Sequence, residues 1–230
     1  MMRSRITLPA LAMIFMTASP VMAQSINLAP NGQPIEPFGQ PSIATMGETF
    51  TTSSATNVLQ SFQFYLANSV DNGGNGGNLL FKGYVSQFDA TNNSLVGPLL
   101  FQSAMTAGNS SDSYVPYSFN TGFLILDPTK TYIAFLSASG LTPTAGVLYA
   151  YEALSGTDDT NPTGTLMYAD NGNDFSSLSS QGAFSQVGVD AAFSAQFTST
   201  PEPSEFILLG SGLSGLVGFV RVRRKRAAIA

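Results

Sequence analysis

Between Gln24 and Ser199, apolar and polar residues alternate with a period of two more often than they recur at helical spacing. Turn-forming residues return about every ten positions. The clearest run comes late: Val187, Val189, Ala191, Phe193, Ala195 and Phe197 alternate with Gly188, Asp190, Ala192, Ser194 and Gln196. Successive strand side chains point to opposite faces, so this run predicts one strand with a buried and a wet face. "SFQFYLA" sets Phe62, Phe64 and Leu66 on one side. Leu79–Asp89 is apolar on both sides and predicts a more central strand. Gly122–Ala138 predicts two strands around Asp127-Pro128-Thr129-Lys130, where Pro presets the turn torsion and Asp bonds the backbone beyond it.

Further strands are predicted over Glu48–Thr52, Val96–Ser103, Tyr114–Phe119, Val147–Glu152 and Thr165–Tyr168. The expectation is an all-β fold: an antiparallel two-sheet sandwich, jelly-roll-like, spanning residues 24–199. That length can bury about 70% of its unfolded surface, so one core suffices without disulfides. "DNGGNGGN" (Asp71–Asn78) reads as a loop joining two strands across the top of the sandwich, its glycines accepting positive φ.

Charge separates the body from the chain ends. Only 10% of the 230 residues are charged, against about 25% in ordinary soluble domains. Of nine basic residues, two lie at the start and five near the end, leaving Lys82 and Lys130 between them. Twelve acidic residues fall between Glu36 and Asp190, so the body carries 2 − 12 = −10. Such a body repels nucleic acid, which is bound through clustered Lys and Arg.

Missing residue types narrow the chemistry. The chain has no His, no Cys and no Trp. Ser-His-Asp triads, Cys-His dyads and zinc sites built on His or Cys are excluded. A two-carboxylate glycoside hydrolase is the surviving enzymatic alternative, with Glu36, Glu48 and Glu152 available, but no motif pairs them. "YADNGNDF" and "GTDDTN" concentrate oxygen ligands in loops, which makes Asp170 and Asp174 a calcium candidate. The spacing is not that of an EF-hand, and a tight Asx-type turn accounts for the same residues. Ahead of the hydrolase stands a glycan-binding module as the first alternative, with rings offered by Tyr65, Tyr84, Tyr114, Tyr117, Tyr149 and Tyr151. Tyr is in any case favoured in sheets.

The ends read as address labels. Residues 1–23 carry Arg3 and Arg5, an apolar stretch and Val21-Met22-Ala23, the layout of a signal peptide cut between Ala23 and Gln24 by signal peptidase after export. After Phe197 the alternation stops. "TSTPEPS" is a polar, proline-bearing linker, and Phe206–Val220 is apolar or small. Fifteen helical residues span about 22 Å, short of the ~30 Å hydrocarbon core. Adding Arg221 and Val222 predicts a membrane helix over 206–222 of near-spanning length. The basic cluster then stays cytoplasmic and the body lies outside.

In its order of parts, this tail closely resembles the PEP-CTERM sorting signal of exported bacterial proteins. Pro201, Glu202 and Pro203 match the signature triplet, the helix over 206–222 the membrane segment, and Arg221, Arg223, Arg224, Lys225 and Arg226 the basic stop. Glu205 sits where the apolar run usually begins, and a short tail, 227–230, follows the cluster. The resemblance implies a Gram-negative producer of exopolysaccharide and processing by exosortase, a membrane-embedded cysteine peptidase. It also implies an inner-membrane intermediate and final delivery to the cell surface or extracellular matrix. The expectation for the whole chain is therefore a non-enzymatic exported protein with no cofactor, its partners being the membrane, the sorting protease and exopolysaccharide.

Overall fold

The computed structural model describes residues 25–41, 43–68, 76–141, 146–153 and 164–199, with backbone only at 31–33, 36, 76 and 151–152. The predicted signal peptide and tail lie outside these residues. Thirteen strands are present among them: β1 (Ser25–Leu28), β2 (Pro30–Gln40), β3 (Thr45–Thr51), β4 (Val58–Ala67), β5 (Leu80–Asp89), β6 (Ser94–Gln102), β7 (Thr106–Ala107), β8 (Val115–Ile125), β9 (Thr131–Ser137), β10 (Gly146–Ala153), β11 (Leu166–Ala169), β12 (Ser185–Gln186) and β13 (Phe193–Thr198). They form two antiparallel sheets, as the alternation predicts. One sheet has the order β1-β13-β4-β10-β2, with β8 along the other side of β4. The other has the order β12-β11-β3-β9-β5-β6, with β7 on β5.

The inner faces bury the main core. Phe62 and Phe64 of β4 point inward, as their spacing predicts, and meet Phe119 and Phe193 at ring-centroid distances of 5.0 Å each. Phe38 and Phe81 meet edge to face at 5.5 Å. The seven-stranded sheet is buried on its outer face too. Tyr84, Phe88, Ile133, Phe135, Met167, Leu178 and Phe184 form a second cluster there. Its cover is the segment 170–184, which contains the 3-10 turn Phe175–Ser179. This explains why β5 and β9 are apolar on both faces, and β5 is an interior strand as expected.

Several boundaries differ from the sequence reading. The predicted strand 187–197 is a strand only from Phe193: Phe193–Thr198 belongs to one sheet, Ser185–Gln186 just before the run to the other, and 187–192 crosses between them. Gly188 turns the crossing with φ 87°. The crossing stays bonded to both sheets, since Val189 O accepts from Leu166 N and Asp190 O from Ala153 N. Tyr114–Phe119 and the first half of 122–138 are not separate strands. They are one long β8, continuous through a bulge in which 121–123 stand opposite Gln60. β2 carries Pro30, Pro34 and Pro37, which argue against a strand. It forms at the sheet edge, with two register shifts against β10, where prolines are tolerated. The Asp71–Asn78 stretch does join strands of different sheets, β4 and β5, ending in the 3-10 turn Gly76–Asn78.

Candidate functional site: an uncharged polar sheet face

The outer face of the six-stranded sheet is built from the polar half of each alternating strand. Because paired residues of antiparallel strands share a face, the registers place side chains in rows. Ser118, Gln63, Ser194 and Asn27 form one row across β8, β4, β13 and β1. Asn120, Ser61, Gln196 and Ser25 form the next. At ~4.8 Å between strands, four strands span about 14 Å, and the rows lie about 7 Å apart along them. All eight are at least partly exposed, and none is charged.

Each group in these rows is a hydroxyl or an amide, able to donate and accept hydrogen bonds. Ser118 Oγ donates to Gln63 Oε1 at 2.5 Å, which turns the amide nitrogen of Gln63 away from Ser118. The rows are bordered by aromatic rings. Tyr65 projects outward from β4 beside Pro116, and Tyr114 meets its ring edge to face at 6.2 Å. Tyr149 of β10, opposite Ala67, is partly exposed. A flat, neutral, hydroxyl- and amide-lined sheet edged by rings is chemically suited to hydrogen-bond a polyhydroxylated polymer. The eight residues of the two rows offer no charged group to an ionic ligand.

The sequence-singled residues are distributed differently. Of the six tyrosines, Tyr65, Tyr114 and Tyr149 reach this border. Tyr84 and Tyr117 are core residues whose phenol pKa is raised by burial. The side chain of Tyr151 lies outside the described residues. Asp174 caps the 3-10 turn, its Oδ1 accepting from Ser176 N at 3.0 Å, Ser176 Oγ at 2.6 Å and Ser177 N at 3.3 Å. These bonds, the Ser176 hydroxyl first, hold its carboxyl below the usual carboxylate range. Asp170 is exposed at the start of the same loop. Among the described residues, no group of three or more acidic side chains gathers at one point. Asp127 and Asp89 are turn formers of the same kind. Thr129 N and Oγ1 bond Asp127, while Asn92 bonds Asp89 through side chain and backbone; each carboxyl is held low by these bonds.

Glu48 was open to a catalytic reading and is buried between the sheets, where Oε2 accepts from Ala191 N. The side chains of Glu36 and Glu152 lie outside the described residues, as do Ala23, Gln24, Pro201, Glu202, Pro203 and the basic cluster. Sequence reasoning missed the polar rows as a unit. Their signal was present in the polar alternates of β4 and β13, but only the register aligns them.

No family model matches the chain, and no curated protein matches it in sequence. Among solved structures, it is similar to the cysteine protease and lectin-like domains of Cwp84, a surface layer associated protein of Clostridium difficile. The likeness covers 77% of this chain and 36% of that one, at 14% identity and a TM-score of 0.44. A clostridial Cwp84 cysteine protease after propeptide cleavage matches at the same identity and score, with 40% of that chain covered. The chain thus spans well under half the length of these structures. An infectious bursal disease virus structure matches at 12% identity and a TM-score of 0.24, over 86% of this chain and 48% of that one.

Proposed function

We propose that the chain is an exported, non-enzymatic protein of the cell surface or extracellular matrix, and that the uncharged face of its six-stranded sheet meets exopolysaccharide. Delivery is the task of the two ends: a signal peptide cut after Ala23, and a PEP-CTERM-like tail with Pro201-Glu202-Pro203, a membrane segment and a basic stop. The tail holds the protein at the inner membrane with its body outside the cytoplasm until an exosortase-type protease acts.

The observation that carries the glycan reading is the pair of four-residue rows, one centred on Gln63 and Ser194 and the other on Ser61 and Gln196. Sugar hydroxyls need neutral donors and acceptors in register, and an acidic body elsewhere keeps nucleic acid away. The non-enzymatic reading is supported by the absence of His and Cys and by the burial of Glu48.

Retention on the producing organism's own exopolysaccharide tests this. The exported protein should be retained. Ser194→Asp, which puts a carboxylate in the middle of the face at an outward position, should lower the affinity about tenfold, or ~1.4 kcal/mol. Equal retention of both proteins, or none of either, would sink the assignment of the face. Oligosaccharide released during the incubation would sink the non-enzymatic reading.

A further inference from the structure

All seven exposed large hydrophobic residues among those described fall between Val96 and Ile125, on the two edge strands β6 and β8 and the chain joining them. The most exposed are Phe123 at 68% and Ile125 at 65%. Both belong to one end of the sandwich. Ile125 pairs with Val58 on one side of β4, and Thr198, the last strand residue before the tail, pairs with Val58 on the other. The chain therefore leaves the fold two strand spacings, about 10 Å, from Ile125.

Phe123 is displayed rather than left over. It follows Gly122 in a bulge where both residues have left-handed backbone, with φ of 67° and 69°. That conformation is unfavourable for a bulky residue. Thr121 Oγ1 pins the bulge to Leu59 O at 2.5 Å, and Asn120 Oδ1 accepts from Gly122 N at 2.9 Å. β6 is bulged as well, with 97–100 standing opposite Ser86 and carrying exposed Leu99 and Leu100. Bulged edges with Pro98 and Pro116 are poor templates for adding another strand. What they present is side chains.

Apolar exposure and chain length select the occupant. In an acidic body, residues 90–126 contain a single charge, Asp112, which lies toward the opposite end, near Asn68 and Tyr114. The turn at this end holds Asp127 and, three residues on, Lys130, one of the two body lysines, and Asp89 stands in the neighbouring β5–β6 turn. From Ser199, six residues lead to the apolar run at Phe206, a reach of at most about 22 Å. If 206–222 enters a bilayer, as the proposed function holds, this end with its exposed apolar side chains is the one brought to its surface.

We propose that the end of the sandwich carrying Phe123 and Ile125 rests in the lipid interface beside the point where the tail inserts. This contact rests on the membrane reading of the tail. It orients the anchored precursor and keeps Pro201–Pro203 at the bilayer surface, where a membrane-embedded protease works.

The chain has no tryptophan, so Phe123→Trp supplies a single emitter at the contact. The full-length variant is reconstituted into phosphatidylcholine–phosphatidylglycerol vesicles and floated, then compared with and without brominated acyl chains. Tyr114→Trp, at the far end of β8, serves as the reference. The expected result is flotation of both, with twofold or greater bromolipid quenching of Trp emission in the Phe123→Trp protein and little in the Tyr114→Trp protein. Flotation with equal, weak quenching of both would overturn the contact and leave the tail reading intact. Failure to float would overturn the tail reading and the contact with it. Emission that shifts to the blue with protein concentration but ignores bromolipid would mean that a second copy covers the patch, and would overturn the lipid assignment.

Discussion

Glu48 Oε2 accepts the backbone N–H of Ala191 at 3.0 Å, tying the middle of β3 to the segment that crosses from one sheet to the other. Both groups are buried. Truncating Glu48 to Ala leaves the Ala191 N–H without that carboxylate and opens a cavity between the sheets. The unmade buried hydrogen bond and the cavity together should cost about 3 kcal/mol. Glu48→Gln keeps an amide oxygen for Ala191 and should lose markedly less. Denaturant midpoints of the two variants check this ordering, and equal midpoints would contradict it.

Gly83 faces Phe119 across the sheets. A Cβ at Gly83 would lie 2.7 Å from that ring, inside van der Waals contact. Phe119 is itself stacked on Phe62, so it has little room to retreat. Gly83→Ala should therefore destabilise by about 1–3 kcal/mol through overpacking. Thermal unfolding measures it, and an unchanged or raised midpoint would show that the ring can shift.

The cover over the second core makes a separate prediction. Leu178, on the 3-10 turn that Asp174 caps, is fully buried in the second cluster. Leu178→Ala should cost about 3 kcal/mol. Asp174→Ala should leave the cluster chemically intact but raise amide exchange over 175–184, because the cap holds the turn. Exchange that rises equally across both sheets would mean that the segment is not a separate cover.

Stability should fall at both extremes of pH. The carboxyls of Asp89, Asp127 and Asp174 are depressed by hydrogen bonds that only the folded chain makes. Their contribution is present above the unfolded value, about 4, and is lost as pH drops through the folded values. Burial raises Tyr84, Tyr117 and Tyr132. Their contribution is full below about pH 10 and is lost as pH rises through the raised values. Urea midpoints across pH check both limbs, and Asp127→Asn should flatten part of the acid limb. An acid limb unchanged by that substitution would contradict the assignment.

The faces of the main strands were legible in the sequence because alternation is a direct imprint of burial. Phe62 and Phe64 turn inward, and the two-sided β5 lies inside its sheet. Sheet membership was less legible. The run Val187–Phe197 alternates in sequence, yet its backbone turns at Gly188 to cross between sheets, and Ala191, Ala192 and Phe193 are buried in succession. β2 was hidden by its prolines, which an edge strand tolerates. The polar rows were readable strand by strand, but their assembly depends on long-range register, such as Gln63 opposite both Ser118 and Ser194. Asp174, weighed as a metal ligand or a turn residue, caps a turn.

Delivery to the outside is the claim on which the rest depends, and intact-mass spectrometry of the protein recovered from the surface or matrix of the producing cells tests it most directly. The predicted species begins at Gln24 and ends near Pro201–Pro203, without the apolar and basic segments. A surface protein that still ends at Ala230 would contradict sorting by the tail and leave a plain membrane anchor.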